Sequence, residues 1–590
     1  MHRADGAGKI YSGLVKTIDL RALIRNQWVL VLSVLAVVSF FATVIDLFTG
    51  RFGGTSKAVS STGKRVWVLD ASGGRGSDGK DFSEIINNVA EGDTIQLKPG
   101  VYNGPSVIAR SVHIAGQTAS SGERPSIHYT AGLGMTVTAA QITLENIEFT
   151  QTSAGQSGII VVSGQTLAEI NKCSFLTRGS YCIYGQASSR IVVQDSRLQS
   201  FGQGTGFFIK ESANGTLERC TLEDNLEGAH SEGGAYLTLN DCTFQKSKTT
   251  KAAACVFVLS SGSAQLHGCH FLDNENAAPV QAGQADVTLN NCTFERNGGN
   301  EIGFAVQAYS RASLHVSNCT FSEDKRPVVI KDGSRLFMEN CKFEKCGESS
   351  KSVSGSNLLV TDKTTQATIK KTEFTDIRYA GVLVADEAQL TMQDSTISGG
   401  QYGIDLGTTK DKGLVGGVAN LQNVTISGQL GQIVRVTRNS KLTLVNCTLN
   451  SADAYYSAIY LDSGGDIDMS GCEVKGGRKH GLEAVGVNTQ VIAKDCKFTG
   501  FQNAGVLARS RARANLDSCV LEQNDIGAEV GDALDSHDNA TLTLQNCTVS
   551  SNRTFGVSAV QRTVLVLSAI TYNDQTTQIH KDPSAAVRDH

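Results

Sequence analysis

VTLNNCTFERN, residues Val287 to Asn297, decides the fold. An alternating apolar pair, Val287 and Leu289, leads to a turn residue, Asn291, then Cys292, Thr293 and the large apolar Phe294. The same sentence returns as LHVSNCTFSED from Leu314, LTLVNCTLNSA from Leu442 and LTLQNCTVSSN from Leu542. Followed along the chain, the cysteine slot holds Ile147, Cys173, Ser196, Cys220, Cys242, Cys269, Cys292, Cys319, Cys341, Thr372, Ser395, Val424, Cys447, Cys472, Cys496, Cys519, Cys547 and Ile570. A period of this length marks a solenoid, in which each repeat buries its apolar face only by stacking on its neighbours.

Two residues after the slot stands a second apolar column, from Phe149 and Phe175 through Phe294 to Val549 and Tyr572. Residues two apart on a strand share a face, so both columns point inward. The residue before the slot is usually Asn, Asp or Gly, as at Asn146, Asp241, Gly268 and Asn546. These tolerate a left-handed backbone and predict a tight corner between two strands. A third strand lies upstream in each coil, in GIIVV from Gly158, PVVIK from Pro327, AGVLVA from Ala380 and AGVLAR from Ala504. Three short strands per coil give an all-β parallel β-helix of about eighteen coils; a helical solenoid would need apolar spacing of three and four.

With these repeats the chain resembles a right-handed parallel β-helix of the pectin-lyase-like superfamily over residues 66–580. VWVLDASG from Val66, the amphipathic FSEIINNVAEG from Phe82 and GDTIQLKPGVYNG from Gly92 resemble that superfamily's N-terminal capping helix and first coil. The resemblance implies a fold, not a reaction, because this fold carries lyases, hydrolases, epimerases, tailspikes and binding domains.

Ahead of the solenoid, WVLVLSVLAVVSFFATVIDLF from Trp28 to Phe48 has the length and apolarity of a transmembrane helix, with Asp46 its one acid. The expected organisation is a cytoplasmic tail (1–27), a transmembrane helix (28–48), a Gly/Ser/Thr-rich tether (49–65), the β-helix (66–580) and a C-terminal tail (581–590). Basic residues flank the span on both sides, Arg21 and Arg25 before it and Arg51 and Lys57 after it, so orientation follows the setting usual for the fold. The expectation is a single-pass membrane protein with its β-helix periplasmic or extracellular.

A net charge of −4 leaves no basic footprint for nucleic acid. Twelve of the 15 cysteines stand in the inward column. Stacked strands about 4.8 Å apart hold such side chains parallel and too far apart for an unstrained bridge, so the column reads as thiols filling the core. Cys182, Cys255 and Cys346 lie outside it, and Cys341 with Cys346 has the spacing for a local bridge. No cofactor and no metal is expected: GRGSDGKD (Gly74 to Asp81) ends in an acid where a phosphate loop needs a hydroxyl, and HGCH (His267, His270) lacks a third ligand. DSHD, from Asp535 to Asp538, resembles the DPHD signature of β-helical mannuronan epimerases with Ser536 in place of proline. YGID, from Tyr402 to Asp405, resembles the residues leading into it.

The candidate site comes from geometry. The first outward residue of the upstream strand runs Ile160, Tyr184, Phe208, His230, Phe257, Gln281, Gln307, Val329, Leu359, Leu383, Asp405, Arg435, Tyr460, Glu483, Leu507 and Glu529. Two regions stand out. Tyr184, Phe208 and Phe257, with His230, form an aromatic stripe suited to sugar faces or a protein partner. Asp405, Arg435, Tyr460 and Glu483 fall on four successive coils, with Asp462 and Arg509 beside them. Proton abstraction beside a uronate carboxylate needs a cation, a base and an acid such as tyrosine, and this group offers all three; two carboxylates also suit glycoside hydrolysis. Asp405, Tyr460 and Glu483 are the expected catalytic residues, and Arg435, Asp462, Arg509, Tyr184, Phe208 and Phe257 the expected substrate-binding ones. The expected function is a membrane-anchored extracytoplasmic domain that binds or modifies polysaccharide, lyase- or epimerase-like. The alternative is a non-catalytic scaffold for an envelope or secretion protein.

Overall fold

The computed structural model describes residues 63–589 except 131–133, 155–157, 248–253, 275–277, 299–303, 349–354, 408–415 and 533–537. Its strands form three parallel sheets, one of 22 strands and two of 20. In a typical coil, Ala278–Gly283 of the third sheet is followed by Asp286–Asn290 of the first and Thr293–Glu295 of the second. Each pairs in parallel with its counterpart one coil on: Val280 with Val306, Val287 with Leu314, Phe294 with Phe321. The solenoid thus has about twenty coils rather than eighteen. The additional ones escape the repeat because they lack the slot: Val66–Leu69, Asp93–Leu97 and Val112–Gly116 open the first sheet, and Ala586–Asp589, in the expected tail, closes it. A short helix, Phe82–Asn88, is N-capped by Asp81, whose carboxylate accepts from Ser83 N–H at 2.8 Å, and buries Phe82, Ile85 and Ile86.

The expectation of a transmembrane helix and of a single-pass membrane protein is corrected here. Among the described residues no helix is long and apolar enough to cross a membrane. The segment Trp28–Phe48 lies outside the described residues, which begin at Gly63.

The corner before the slot has a left-handed backbone at all eighteen positions, with φ between 46° and 63°. Asn, Asp and Gly fill most of them, but Lys172, Arg219, Lys371, Ser518 and Ala569 adopt the same conformation. Stacking on both neighbours outweighs a local cost of about 1–2 kcal/mol per such residue. After the corner the slot residue turns inward, and all fifteen cysteines are buried and free, Cys341 and Cys346 included. The Cys292 thiol donates to the Asn290 carbonyl at 3.4 Å. Burial pushes the thiols of Cys173 and Cys255 up to about 12. The second column stacks face to face, with ring centroids from 4.9 Å (Phe244 on Phe271) to 4.5 Å (Phe343 on Phe374).

A buried polar ladder lines the corner between the second and third sheets. Asn274 and Asn297 each donate through Nδ2 to the carbonyl of the preceding coil, Phe244 and Phe271, at 3.0 Å. One coil on stands Asp324, which accepts from Asn297 N–H and Nδ2 on one oxygen while its other oxygen has no partner. Burial pushes its carboxyl up to about 7. The folded state therefore keeps this proton between pH 4 and 7 while the unfolded chain has lost it, so stability falls as pH rises through that window and is flat above it. Asp324→Asn restores a donor and removes the titration. It should leave stability at pH 4 nearly unchanged and raise it at pH 8 by on the order of 2–4 kcal/mol, read by denaturant unfolding at the two pH values.

Candidate functional site on the third sheet

The third sheet's strands alternate cleanly where their register can be followed. Ile404, Val434, Ile459, Leu482, Val506 and Ala528 form an inward column, all fully buried. The outward column beside it pairs Asp405 with Arg435, Arg435 with Tyr460, Tyr460 with Glu483, Glu483 with Leu507 and Leu507 with Glu529. The expected column therefore stands, with one slip at its start: Ile160 pairs with inward Ile183, and Val161 is the residue beside Tyr184. GIIVV is apolar at four consecutive positions and gives no phase, and a one-residue slip exchanges the faces.

The face is not a solvated lattice of charges. Asp405 is 0% exposed and the Arg435 side chain 12%, and the guanidinium spans both carboxylate oxygens, with Nε to Oδ1 at 2.8 Å. The same guanidinium lies over the Tyr402 ring, 4.4 Å from its centroid. Burial pushes the Asp405 carboxyl up against the pull of Arg435. Asp405 is thus the residue that fixes Arg435, not an accessible acid or base, and YGID ends in this buried pair.

The next coils hold the reactive groups. The Glu483 side chain is 13% exposed. It accepts from Ser457 Oγ at 2.6 Å and from Arg509 Nη2 and Nε at 2.8 and 3.0 Å. Burial opposes its ionisation, but Ser457 and Arg509 more than offset this and hold the carboxyl below its ordinary range. Arg509 also reaches Asp532 at 3.5 Å. Tyr460 is pushed up to about 12, first by burial and then by Asp462 and Glu483. His480 accepts from Ala504 N–H through Nδ1 at 3.2 Å, and burial drives it down to about 4, so it is neutral at pH 7.

Glu529 stood in the column but was not singled out as reactive. Among the described residues its side chain makes no hydrogen bond or ion pair, and burial, then Asp532 and Asp525, push its carboxyl up to about 7. Nothing in a lone Glu on an alternating strand announces this; the signal was the pair of acids at 525 and 532 around it. Two strand spacings, about 10 Å, separate it from Glu483. One face therefore carries an ionised carboxylate, a carboxyl pushed up to about 7 and a protonated phenol, the separation of titration ranges that acid–base chemistry needs.

The aromatic stripe differs from expectation. Phe208 and His230 are each 8% exposed. Tyr184 and Phe208 stack at 5.3 Å and 8°, and His230 meets Phe208 and Phe257 edge-on at 4.6 and 5.0 Å. The ring faces are spent on one another, which leaves edges for a ligand. His230 Nδ1 is 2.8 Å from Glu227 Oε2. Of the epimerase-like string, Asp535 and His537 lie outside the described residues, and Asp538 is buried, accepting from Arg511 and Ala540 N–H. His267 and His270 are exposed on different sheets.

A model of the right-handed β-helix region matches residues 110–267, 254–418 and 413–568, most of the solenoid. The chain belongs to the right-handed β-helix family. Similar solved structures include the periplasmic alginate epimerase AlgG, at 10% identity and TM-score 0.33, covering 65% of this chain and 85% of that one. The catalytic unit of a GH87 α-1,3-glucanase from Streptomyces thermodiastaticus is 12% identical, with TM-score 0.33 and coverage of 71% and 70%. An alginate lyase from Paenibacillus sp. is 13% identical, with TM-score 0.23 and coverage of 59% and 91%. No curated protein matches the sequence.

The buried pair offers a direct check. Arg435→Met strands a buried carboxylate and should cost roughly 3–5 kcal/mol, whereas the double change Asp405→Leu, Arg435→Met should recover most of that loss in denaturant unfolding.

Proposed function

We propose that this β-helix binds an extended polysaccharide along the outer face of its third sheet and modifies it by proton transfer at the coils bearing Tyr460, Glu483 and Glu529. The observation that carries the reading is the spread of protonation states along one outward column of partly buried side chains: Glu483 held ionised by Ser457 and Arg509, Tyr460 held protonated, and Glu529 poised near neutrality. In a lyase- or epimerase-like reaction Glu483 serves as base and Tyr460 as acid at the glycosidic oxygen. In hydrolysis Glu529 is the acid and Glu483 activates water, and a gap of about 10 Å between the two strands leaves room for it. Asp405 positions Arg435, and Arg509 positions Glu483.

The test is to incubate the full chain with a panel of polyuronates and glucans, scoring unsaturated product, reducing ends and binding. Tyr460→Phe should spare binding and abolish elimination, and Glu529→Gln should abolish hydrolysis. If Glu529 acts as the acid, hydrolysis falls as pH rises through about 7, because that is where its proton is lost. Binding and turnover both unchanged in a Glu483→Gln, Tyr460→Phe double variant would contradict the reading.

A further inference from the structure

The cation of the outward column, Arg435, and the one beside it, Arg509, are already matched. Arg435 is closed on Asp405, and Arg509 bridges Glu483 and Asp532. A ledge beside the column is different. Tyr455 and Tyr456 are 54% and 55% exposed, among the most exposed large apolar side chains of the described residues, together with Leu430. They sit in the corner leading into the third sheet, and Tyr455 N–H donates to the Leu430 carbonyl one coil back at 3.1 Å. One coil on, the Arg478 guanidinium lies over the Tyr455 ring, 4.5 Å from its centroid.

Leu430, Tyr455 and Arg478 thus form a ladder of their own, and each precedes by five positions the outward residue of its coil: Arg435, Tyr460 and Glu483. Five residues span at most about 17 Å, so the ledge flanks the column coil for coil. Arg478 and Lys479 are exposed, and among the described residues neither forms an ion pair. The acid on the Tyr455 loop is Asp453, also exposed.

We propose that this ledge is the glycan-gripping subsite of the same face and that it selects an anionic polysaccharide, with pyranose rings seated on Tyr455 and Tyr456 and acid groups paired with Arg478 and Lys479. The inference rests on the function proposed above and adds the substrate class. Exposed tyrosines present an apolar face with a polar tip, the combination a sugar ring meets well; Arg478 covers one face of Tyr455, which leaves its other face and the Tyr456 ring for the sugar and sets the guanidinium beside them. Unpaired cations at the rim supply charge-assisted hydrogen bonds to carboxylate or sulfate without first breaking an internal ion pair. A neutral glycan leaves that charge unused, and a cationic one is repelled.

The experiment titrates the full chain by calorimetry with an oligogalacturonate, a sulfated glycosaminoglycan fragment and a neutral β-glucan oligosaccharide, at low and at high salt. Two variants accompany it, Tyr455→Ala/Tyr456→Ala and Arg478→Gln/Lys479→Gln, both exposed and both checked for an unchanged melting temperature. The wild type should bind at least one anionic oligosaccharide and bind the neutral one more weakly. The tyrosine variant should lose roughly tenfold or more in affinity. The Arg478/Lys479 variant should lose roughly tenfold at low salt and little at high salt. Preference for carboxylate over sulfate, or the reverse, assigns the acid group. An anionic ligand whose affinity is unchanged in both variants but lost in Glu483→Gln overturns the ledge and leaves the proposed function standing. Equal or tighter binding of the neutral oligosaccharide overturns the substrate class, and no binding of any of the three overturns both.

Discussion

The structure depends on one local constraint repeated eighteen times: a left-handed residue at the end of the first-sheet strand, with φ near 50°, that turns the next side chain inward. It sets the phase of the second sheet, and because each strand pairs in register with the coil before and after, it sets the phase of the third sheet as well. A residue such as Lys371 or Arg219 would not choose this conformation alone. Burial of the slot and of the stacked phenylalanine column holds it there. The outward position of Arg435, Tyr460 and Glu483 is the far consequence of that corner.

The fold was legible because its two inward columns are chemically monotonous: cysteine, then phenylalanine or leucine, at a repeat that no helix reproduces. The coils that went uncounted lack this chemistry, since they turn without a slot. The outward column was legible by counting from the slot, and it failed only at Ile160, where four apolar residues in a row carry no alternation. Depth was not legible. Nothing in the letters separates an exposed Asp–Arg ladder such as Asp195 with Arg219, whose side chains are 38% and 53% exposed, from the enclosed pair Asp405 with Arg435. The difference arises from what packs over each coil, Tyr402 in the second case. Tyr455 and Arg478 were missed for another reason: they lie in corners, where strand counting assigns no face.

Electrostatically the third sheet divides its charges by task. Asp405 and Arg435 neutralise one another in a buried pair whose desolvation roughly offsets its attraction, so the pair fixes geometry more than it adds stability. Ser457 and Arg509 keep Glu483 ionised, while burial, and then the acids around it, push the Glu529 carboxyl up to about 7. Opposite protonation states within two coils cannot arise from sequence composition, only from which neighbours the register brings alongside. Among the described residues Arg478 and Lys479, in the corner beside this sheet, form no ion pair.

All of these placements stand or fall with the direction in which the slot points, and thiol accessibility reads that direction. With the slot inward, the fifteen buried cysteines of the native chain should resist a maleimide over the time in which a denatured control is fully labelled, and protection should be lost in a single unfolding transition. Rapid labelling of Cys292, Cys319 and their column neighbours in the native protein would put the slot on the surface, turn the phase of every coil by one residue and remove Arg435, Tyr460 and Glu483 from the outer face.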